Sequence, residues 1–371
     1  MRRRVLIWLC VAGLFTTFLI WVVMSSRLLS TSLPENPPSR DPDGVFEPFQ
    51  KDDFAGSPIL FDPNGEQLVR IGERREPETW ERKNGVIDEA TREGIVAFWD
   101  IRTRKLIGRV VQSGSINDAT FTPDGSKLIT AASDGKIRIF GAPKWDLEHV
   151  IEHSRPRSMP RRLAMFPDGK RFMSAAFAWG FQARIWSLSD LTSTPLLAKH
   201  DLIDQVLVSH DGSRIAIEHC GEGSTIEIWD AKRLALLGRL RHDGGFTSTA
   251  FSPDGKWIAT SIYAGSVVLW NSTTFEPHVK LPTYRWPESL AFSKDGKLLV
   301  CSTGFHSGTD GEVVLGKILI WSVDSGNLLF SFRPHGDTTG RMEMALSPDN
   351  RWLVVDSMVW DFEKIRREIG H

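Results

Sequence analysis

The sequence predicts an all-β protein built from seven copies of one four-stranded antiparallel sheet, preceded by one transmembrane helix. Three observations carry this prediction. An apolar strand ending in a Pro-Asp-Gly-like turn recurs seven times between residues 57 and 371. A later strand in each copy closes on an aromatic residue. Ahead of the first copy, residues 5–24 run without a charge.

The N-terminal run, VLIWLCVAGLFTTFLIWVVM, is long enough to cross a hydrocarbon core of roughly 30 Å as a helix. Trp8 and Trp21 lie towards its ends, where amphipathic rings favour the interface. Arg2, Arg3 and Arg4 precede it and only Arg27 follows closely, so the positive-inside bias keeps the N-terminus cytoplasmic and sends the remainder across. A cleaved secretory signal is the alternative, and a cleaved chain is secreted. The run exceeds the roughly 7–15 residues of a signal h-region, which favours an uncleaved anchor. Residues 1–27 are thus read as a cytoplasmic stub and anchor, with the bulk of the chain in the periplasm or at the cell surface. Residues 28–56 read as a semi-extended linker, with Pro34, Pro37, Pro38, Pro42 and Pro48 among Ser, Asp and Glu.

The turn motif appears as ILFDPNG (59–65), ATFTPDG (119–125), AMFPDG (164–169), VLVSHDG (206–212), AFSPDG (250–255), AFSKDG (291–296) and ALSPDN (345–350). The closing aromatics are Trp99, Phe140, Trp186, Trp229, Trp270, Trp321 and Trp360, separated by 41, 46, 43, 41, 51 and 39 residues. Gly and Asn tolerate the positive φ of such tight turns. A lone small sheet cannot bury both faces, whereas radial stacking buries each against the next. The sequence therefore predicts a seven-bladed β-propeller over residues 57–371, with the aromatics between blades. The last blade lacks an obvious outer strand. Either the tail EKIRREIGH or residues 44–50 (GVFEPFQ) supplies it, and Ile-Arg-Arg-Glu-Ile is the poorer filler.

These residues resemble the WD-repeat family of β-propellers, in a degenerate, bacterial-style form. The Trp-Asp pair stands at Trp99-Asp100, Trp229-Asp230 and Trp360-Asp361. The resemblance implies a hydrogen-bonded set around the aromatic. His153, His200, His242 and His335 match its His place, Ser133, Ser174, Ser261 and Ser357 its Ser place, and Asp134 its Asp place. It also implies a protein-binding scaffold.

The chemistry of the chain excludes several classes. With 45 Lys+Arg against 46 Asp+Glu, the net charge of −1 lacks the basic footprint of a nucleic-acid binder. Three Cys support neither a disulfide framework nor a Cys-rich zinc module. No nucleophile elbow, P-loop or zincin motif is present. The sequence therefore predicts no catalytic residue, cofactor or metal, and a monomeric propeller domain with protein partners. The spaced His residues fall one per blade around a ring, which favours structural hydrogen bonding over a shared metal.

Departures from the period carry the site prediction. Blade 1 has a charged insertion at 73–93 between its second and third strands, and blade 6 has one at 303–315. Blade 7 passes from Ser357 straight to Met358. These blades are ring neighbours, so two raised loops flank a low blade on one face, with Arg74, Arg75, Trp80, Phe305 and His306 at the walls. The connection 153–163 adds Arg155, Arg157, Arg161 and Arg162 on the same face, read as a loop able to meet an anionic partner. A propeller enzyme or small-ligand binder of lactonase or quinoprotein type is the alternative function. It needs converging polar groups in the channel, where the sequence shows mainly Ala250, Ala291, Met344 and Ala345. A third reading is a structural envelope protein whose tether serves only to position it.

Overall fold

Alternating apolar residues and turn chemistry make each repeat a meander. Blade 5 is typical, with strands Phe246–Phe251, Trp257–Ile262, Ser266–Asn271 and Pro277–Pro282 paired in order. Its first turn is closed by side chains. Ser252 Oγ donates to Asp254 Oδ1 at 2.7 Å, and that oxygen accepts the Lys256 N–H at 3.1 Å. Gly255 then takes φ +71°, the left-handed value that L side chains avoid. In the same turns, Thr122 and Ser126 hold the Asp124 carboxyl down to about 2, and bonds from Ser209 and Ser213 outweigh burial to bring Asp211 to about 2. The turn aspartates are thus ionised structural acceptors.

The computed structural model describes residues 39–40, 42–45, 58–73, 93–153, 159–177, 183–196, 202–220, 225–242, 244–263, 265–283, 286–304, 306–307, 313–314, 316–334 and 342–371. Ser39–His371 form one unit. It contains seven sheets, each with four antiparallel strands, and blade 6 carries one added strand. The sheets stack as a ring, and an apolar core fills every junction between neighbours. One closing aromatic sits at each junction, always between its own blade and the preceding one. Trp99 lies between blades 7 and 1, Phe140 between 1 and 2, Trp186 between 2 and 3, and Trp229 between 3 and 4. Trp270, Trp321 and Trp360 continue the series to the junction of blades 6 and 7. Second and third strands are buried on both faces, as Leu298–Thr303 shows, because a blade covers each side. Fourth strands form the rim and are largely exposed, as in Asp146–Glu152.

The Pro-Asp-Gly turns also link blades. A Cβ on Gly212 would lie 3.0 Å from Pro167 of the preceding blade, and one on Gly169 would lie 3.3 Å from Pro123. Glycine here serves both positive φ and close approach.

Blade 7 is completed from the N-terminal side. Gly44–Val45 pairs antiparallel with Met358–Asp361 as the fourth strand, while residues 46–50 lie outside the described residues. Ser39–Arg40 adds in parallel to the outer strand Leu328–Pro334 of blade 6. The tail forms a helix, Phe362–Glu368, in place of a strand. Its Phe362 and Ile365 are buried in the core between blades 6 and 7. Asp361 caps it by accepting from the Lys364 N–H. Arg40 grips Glu368 with two bonds of 2.7 and 3.0 Å, and Asp43 accepts from Asp361 N at 2.8 Å and Lys364 Nζ at 2.7 Å. Ser39–Arg40, Asp43 and Gly44–Val45 thus join blades 6 and 7 to the terminal helix.

No helix among the described residues is long and apolar enough to cross a membrane. The Val5–Met24 segment lies outside the described residues.

Candidate partner-binding face

In every blade the second strand ends, and the third begins, at the face where the first strand starts. The first strands of blades 2 to 6 each carry a register shift near that start, at Ile116/Asp118, Pro160/Arg162, Ile203/Gln205, Phe246/Ser248 and Pro287/Ser289. A bulge re-aims side chains, and here it turns polar groups toward the neighbouring blade. Asn117 Nδ2 donates to Pro160 O at 2.9 Å, and Asp118 Oδ2 accepts Leu163 N–H at 2.8 Å. Arg162 Nε donates to Asp204 O at 2.7 Å. Thr249 Oγ1 donates to Glu218 Oε2 at 3.2 Å, Leu290 N–H to Ser248 Oγ at 3.2 Å, and Ser289 Oγ to Met344 O at 3.2 Å.

On this face, polar bonds thus link neighbouring blades around the inner ring. Burial pushes the Asp118 carboxyl up to about 6, against the pull of Arg162. Burial, with the Asp204 charge adding, pushes Glu218 up to about 7, while Thr249 and Arg162 pull it down. Of the expected apolar lining, Ala250, Ala291 and Ala345 are half-buried on inner strands. Met344 instead belongs to the core between blades 6 and 7.

Arg161 and Arg162 lie on the first strand of blade 3, Met159–Met165, and not in a loop. Arg161 is exposed; Arg162 is half-buried and serves as the clasp to Asp204. Arg155 and Arg157 lie outside the described residues, as do Arg74, Arg75, Trp80 and Phe305. Backbone residues His306–Ser307 and Val313–Val314 form a two-stranded hairpin within the blade 6 insertion. Blade 7 turns in two residues between Val355 and Met358.

The His-Ser-Trp network exists in part, with its hydroxyl elsewhere than expected in two blades. In blade 3, Trp186 Nε1 donates to Ser174 Oγ at 2.7 Å and His153 packs on the indole. Burial pushes His153 down to about 4, helped by the Arg184 charge. In blade 5 the indole of Trp270 and Nε2 of His242 both bond Thr260 Oγ1 at 2.8 Å, and Ser261 bonds Thr247 instead. Thr260 faces Val268, two residues before the aromatic, as Ser174 faces Arg184. The same place in blade 2 holds Thr130, bonded to Gln112 at 2.8 Å, while Ser133 caps Ser115 N–H. Ser357 lies in a turn, and Val355 takes the equivalent place in blade 7. His200 and His335 lie outside the described residues. Asp134 pairs with Arg138 at 2.5 Å. Among the described residues no group of His, Cys, Asp and Glu is arranged to hold a metal.

A model of the WD domain, G-beta repeat, matches residues 103–141 and 235–271. Each match spans the fourth strand of one blade and three strands of the next. Human apoptotic protease-activating factor 1 is 23% identical over 252 residues, covering 64% of this chain and 18% of that protein. Cilia- and flagella-associated protein 52 of Chlamydomonas reinhardtii is 22% identical over 73% of this chain and 43% of its own length. The Drosophila melanogaster protein LST8 homolog is 24% identical over 60% of this chain and 72% of its own. The chain thus spans about a fifth of the first of these relatives. A chain from the crystal structure of a mitotic checkpoint complex superposes with a TM-score of 0.66 at 16% identity, covering 90% of this chain and 97% of that one. Strand register and superposition agree on a seven-bladed β-propeller, two stretches of which match the WD domain, G-beta repeat.

Proposed function

We propose that this propeller is a protein–protein interaction scaffold, binding through the face that carries the 73–93 and 303–315 loops. The observation that supports it is the clustering of departures from the repeat. Blades 6, 7 and 1 are consecutive around the ring, and on one face they present an insertion with its own hairpin, a two-residue turn and a second insertion. A rigid ring with irregular loops on one side is a binding architecture. The printed names of two relatives, a protease-activating factor and a cilia- and flagella-associated protein, support a binding role. Residues 5–24 are read as a membrane anchor that places the propeller outside the cytoplasm, with a single pass and a cytoplasmic N-terminus.

Co-purification from detergent-solubilised membranes tests this reading. Wild type is compared with a chain whose 73–93 and 303–315 loops are replaced by short Asn-Gly turns. The reading predicts loss of a specific partner with folding unchanged. Identical partner lists exclude these loops.

A second reading is favoured by one observation. Burial raises the Asp118 and Glu218 carboxyls to about 6 and about 7 within the field of Arg162, an arrangement suited to a small polar ligand. Against it, each acid is already engaged by a neighbouring blade. A ligand-dependent change in stability lost in Asp118→Asn and Glu218→Gln favours this reading over the scaffold.

A further inference from the structure

A fourth strand ends its sheet at the rim, and the molecule shows that such an edge can be extended. Ser39–Arg40 adds in parallel to the outer strand of blade 6 as a fifth strand. Among the described residues blade 1 has the longest fourth strand, Leu106–Ser113, with eight residues, and nothing is added to its edge. The N–H and C=O groups along a strand edge are a template for another extended chain.

Three features set this edge apart. It is apolar: Ile107 and Val111, each 53% exposed, are the most exposed large apolar side chains among the described residues. It has a slot. Gly108 faces Phe98 across the strand pair, as Gly238 faces Ile228 in blade 4. In blade 4 that place is covered, since a Cβ on Gly238 would lie 2.3 Å from the ring of Phe275 in blade 5. The matching ring over blade 1 is Trp145 of blade 2, with φ +58° against +61° for Phe275. Trp145 instead stacks on Phe98, at 5.1 Å and 9°. A Cβ on Gly108 therefore meets nothing within 4 Å among the described residues beyond its chain neighbours. The slot faces blade 2, like Phe98, whereas Arg109 and Val111, opposite Ala97 and Ile95, face blade 7. Finally, the edge is basic. Arg102, Lys105 and Arg109 are exposed, and residues 101–113 include no acid. Asp100, just ahead, is held by Thr103 through bonds of 2.6 and 2.8 Å. Two of the three acids on the outer strand of blade 2 are offset, Glu148 by its pair with Lys127 and Glu152 by Lys136 opposite.

We propose that the outer edge of blade 1 takes up an extended segment of a protein partner as a fifth strand, and that this segment alternates acidic and apolar residues. Backbone pairing supplies affinity, and alternate side chains supply specificity. Acids on one face of the added strand meet Arg109, and an apolar side chain on the other fills the slot over Gly108. A basic segment, or the same edge of a second copy, sets like charges together there. The rim is separate from the loop face, so this site goes beyond the scaffold reading and does not depend on it.

The test is selection of phage-displayed random nonapeptides on the full chain held in detergent micelles, followed by fluorescence anisotropy on individual peptides. The proposal predicts enrichment of Asp or Glu alternating with apolar residues. Arg109→Glu and Gly108→Leu each weaken binding about tenfold with the unfolding midpoint unchanged, because the first side chain is exposed and the second enters open space. Arg241→Glu, on the outer strand of blade 4, leaves binding as in wild type. Backbone N-methylation of one alternating set of peptide residues abolishes binding, as strand pairing requires. A pool without alternating acids overturns the proposal. So do peptides that bind both blade 1 variants as tightly as wild type, or that tolerate N-methylation of either set. If the peptides fail only on the chain lacking the 73–93 and 303–315 loops, the rim is excluded while the scaffold reading stands.

Discussion

Thr260→Val is the sharpest probe of the packing between blades 4 and 5. Valine keeps the shape and removes one hydroxyl from a fully buried site. That hydroxyl bonds both the indole N–H of Trp270 and Nε2 of His242, each at 2.8 Å. Each buried polar group left unpaired costs about 1–3 kcal/mol. His242 is half-buried and regains some solvent, so the expected loss is about 2–4 kcal/mol. Ser261→Ala, one residue away, removes bonds to Thr247 Oγ1 and Ser248 O and is expected to cost about 1 kcal/mol. Guanidinium unfolding followed by tryptophan fluorescence measures both, provided the m-value is constant. Combining Thr260→Val with Trp270→Phe isolates the bond, because phenylalanine has no N–H. The two changes should be non-additive by about 1–2 kcal/mol. The assignment is refuted if Ser261→Ala costs more than Thr260→Val, or if the double variant is additive.

Other consequences follow from the same structure. Asp118 and Glu218 have folded pKa values raised to about 6 and 7, so their native forms hold protons that the unfolded chain releases. Their contribution to stability falls as pH rises from about 4 to 7, and Asp118→Asn or Glu218→Gln should flatten that decline in a midpoint-against-pH series. His153 acts oppositely. With its folded pKa lowered to about 4, its contribution is present above about 6.5 and is lost as pH falls toward 4, a slope His153→Gln removes. Asp43→Ala withdraws the acceptor of Asp361 N–H and should speed hydrogen exchange at Met358–Asp361 without altering blades 2 to 5. The buried Cys301 thiol, whose pKa desolvation raises, should be alkylated only on unfolding, as peptide mass mapping will detect.

Much of the ring is legible in the sequence because its signals are local. Pro-Asp-Gly turns and a closing aromatic recur at fixed places, and each reports one strand end. What is hidden depends on register and on distance along the chain. Side chains in a strand alternate faces, so reading the acceptor at Ser261 rather than Thr260 points to the wrong side of the sheet. The first-strand bulges at Asp118, Arg162 and Ser248 leave no periodic mark, and Arg161–Arg162 read as a loop for that reason. The added strand Ser39–Arg40 is two residues long, too short for any pattern, whereas the closing strand Gly44–Val45 falls in the 44–50 segment that the sequence favours. The tail looked polar because only Phe362 and Ile365 of its helix face the core.

Photocrosslinking tests the central claim most directly. A photoreactive amino acid is placed at Tyr263 or Lys317 on the loop face, and at Lys170 or Lys256 beside the Pro-Asp-Gly turns of the opposite face. The account predicts partner adducts from the first pair of positions and none from the second. Adducts confined to Lys170 and Lys256 contradict it.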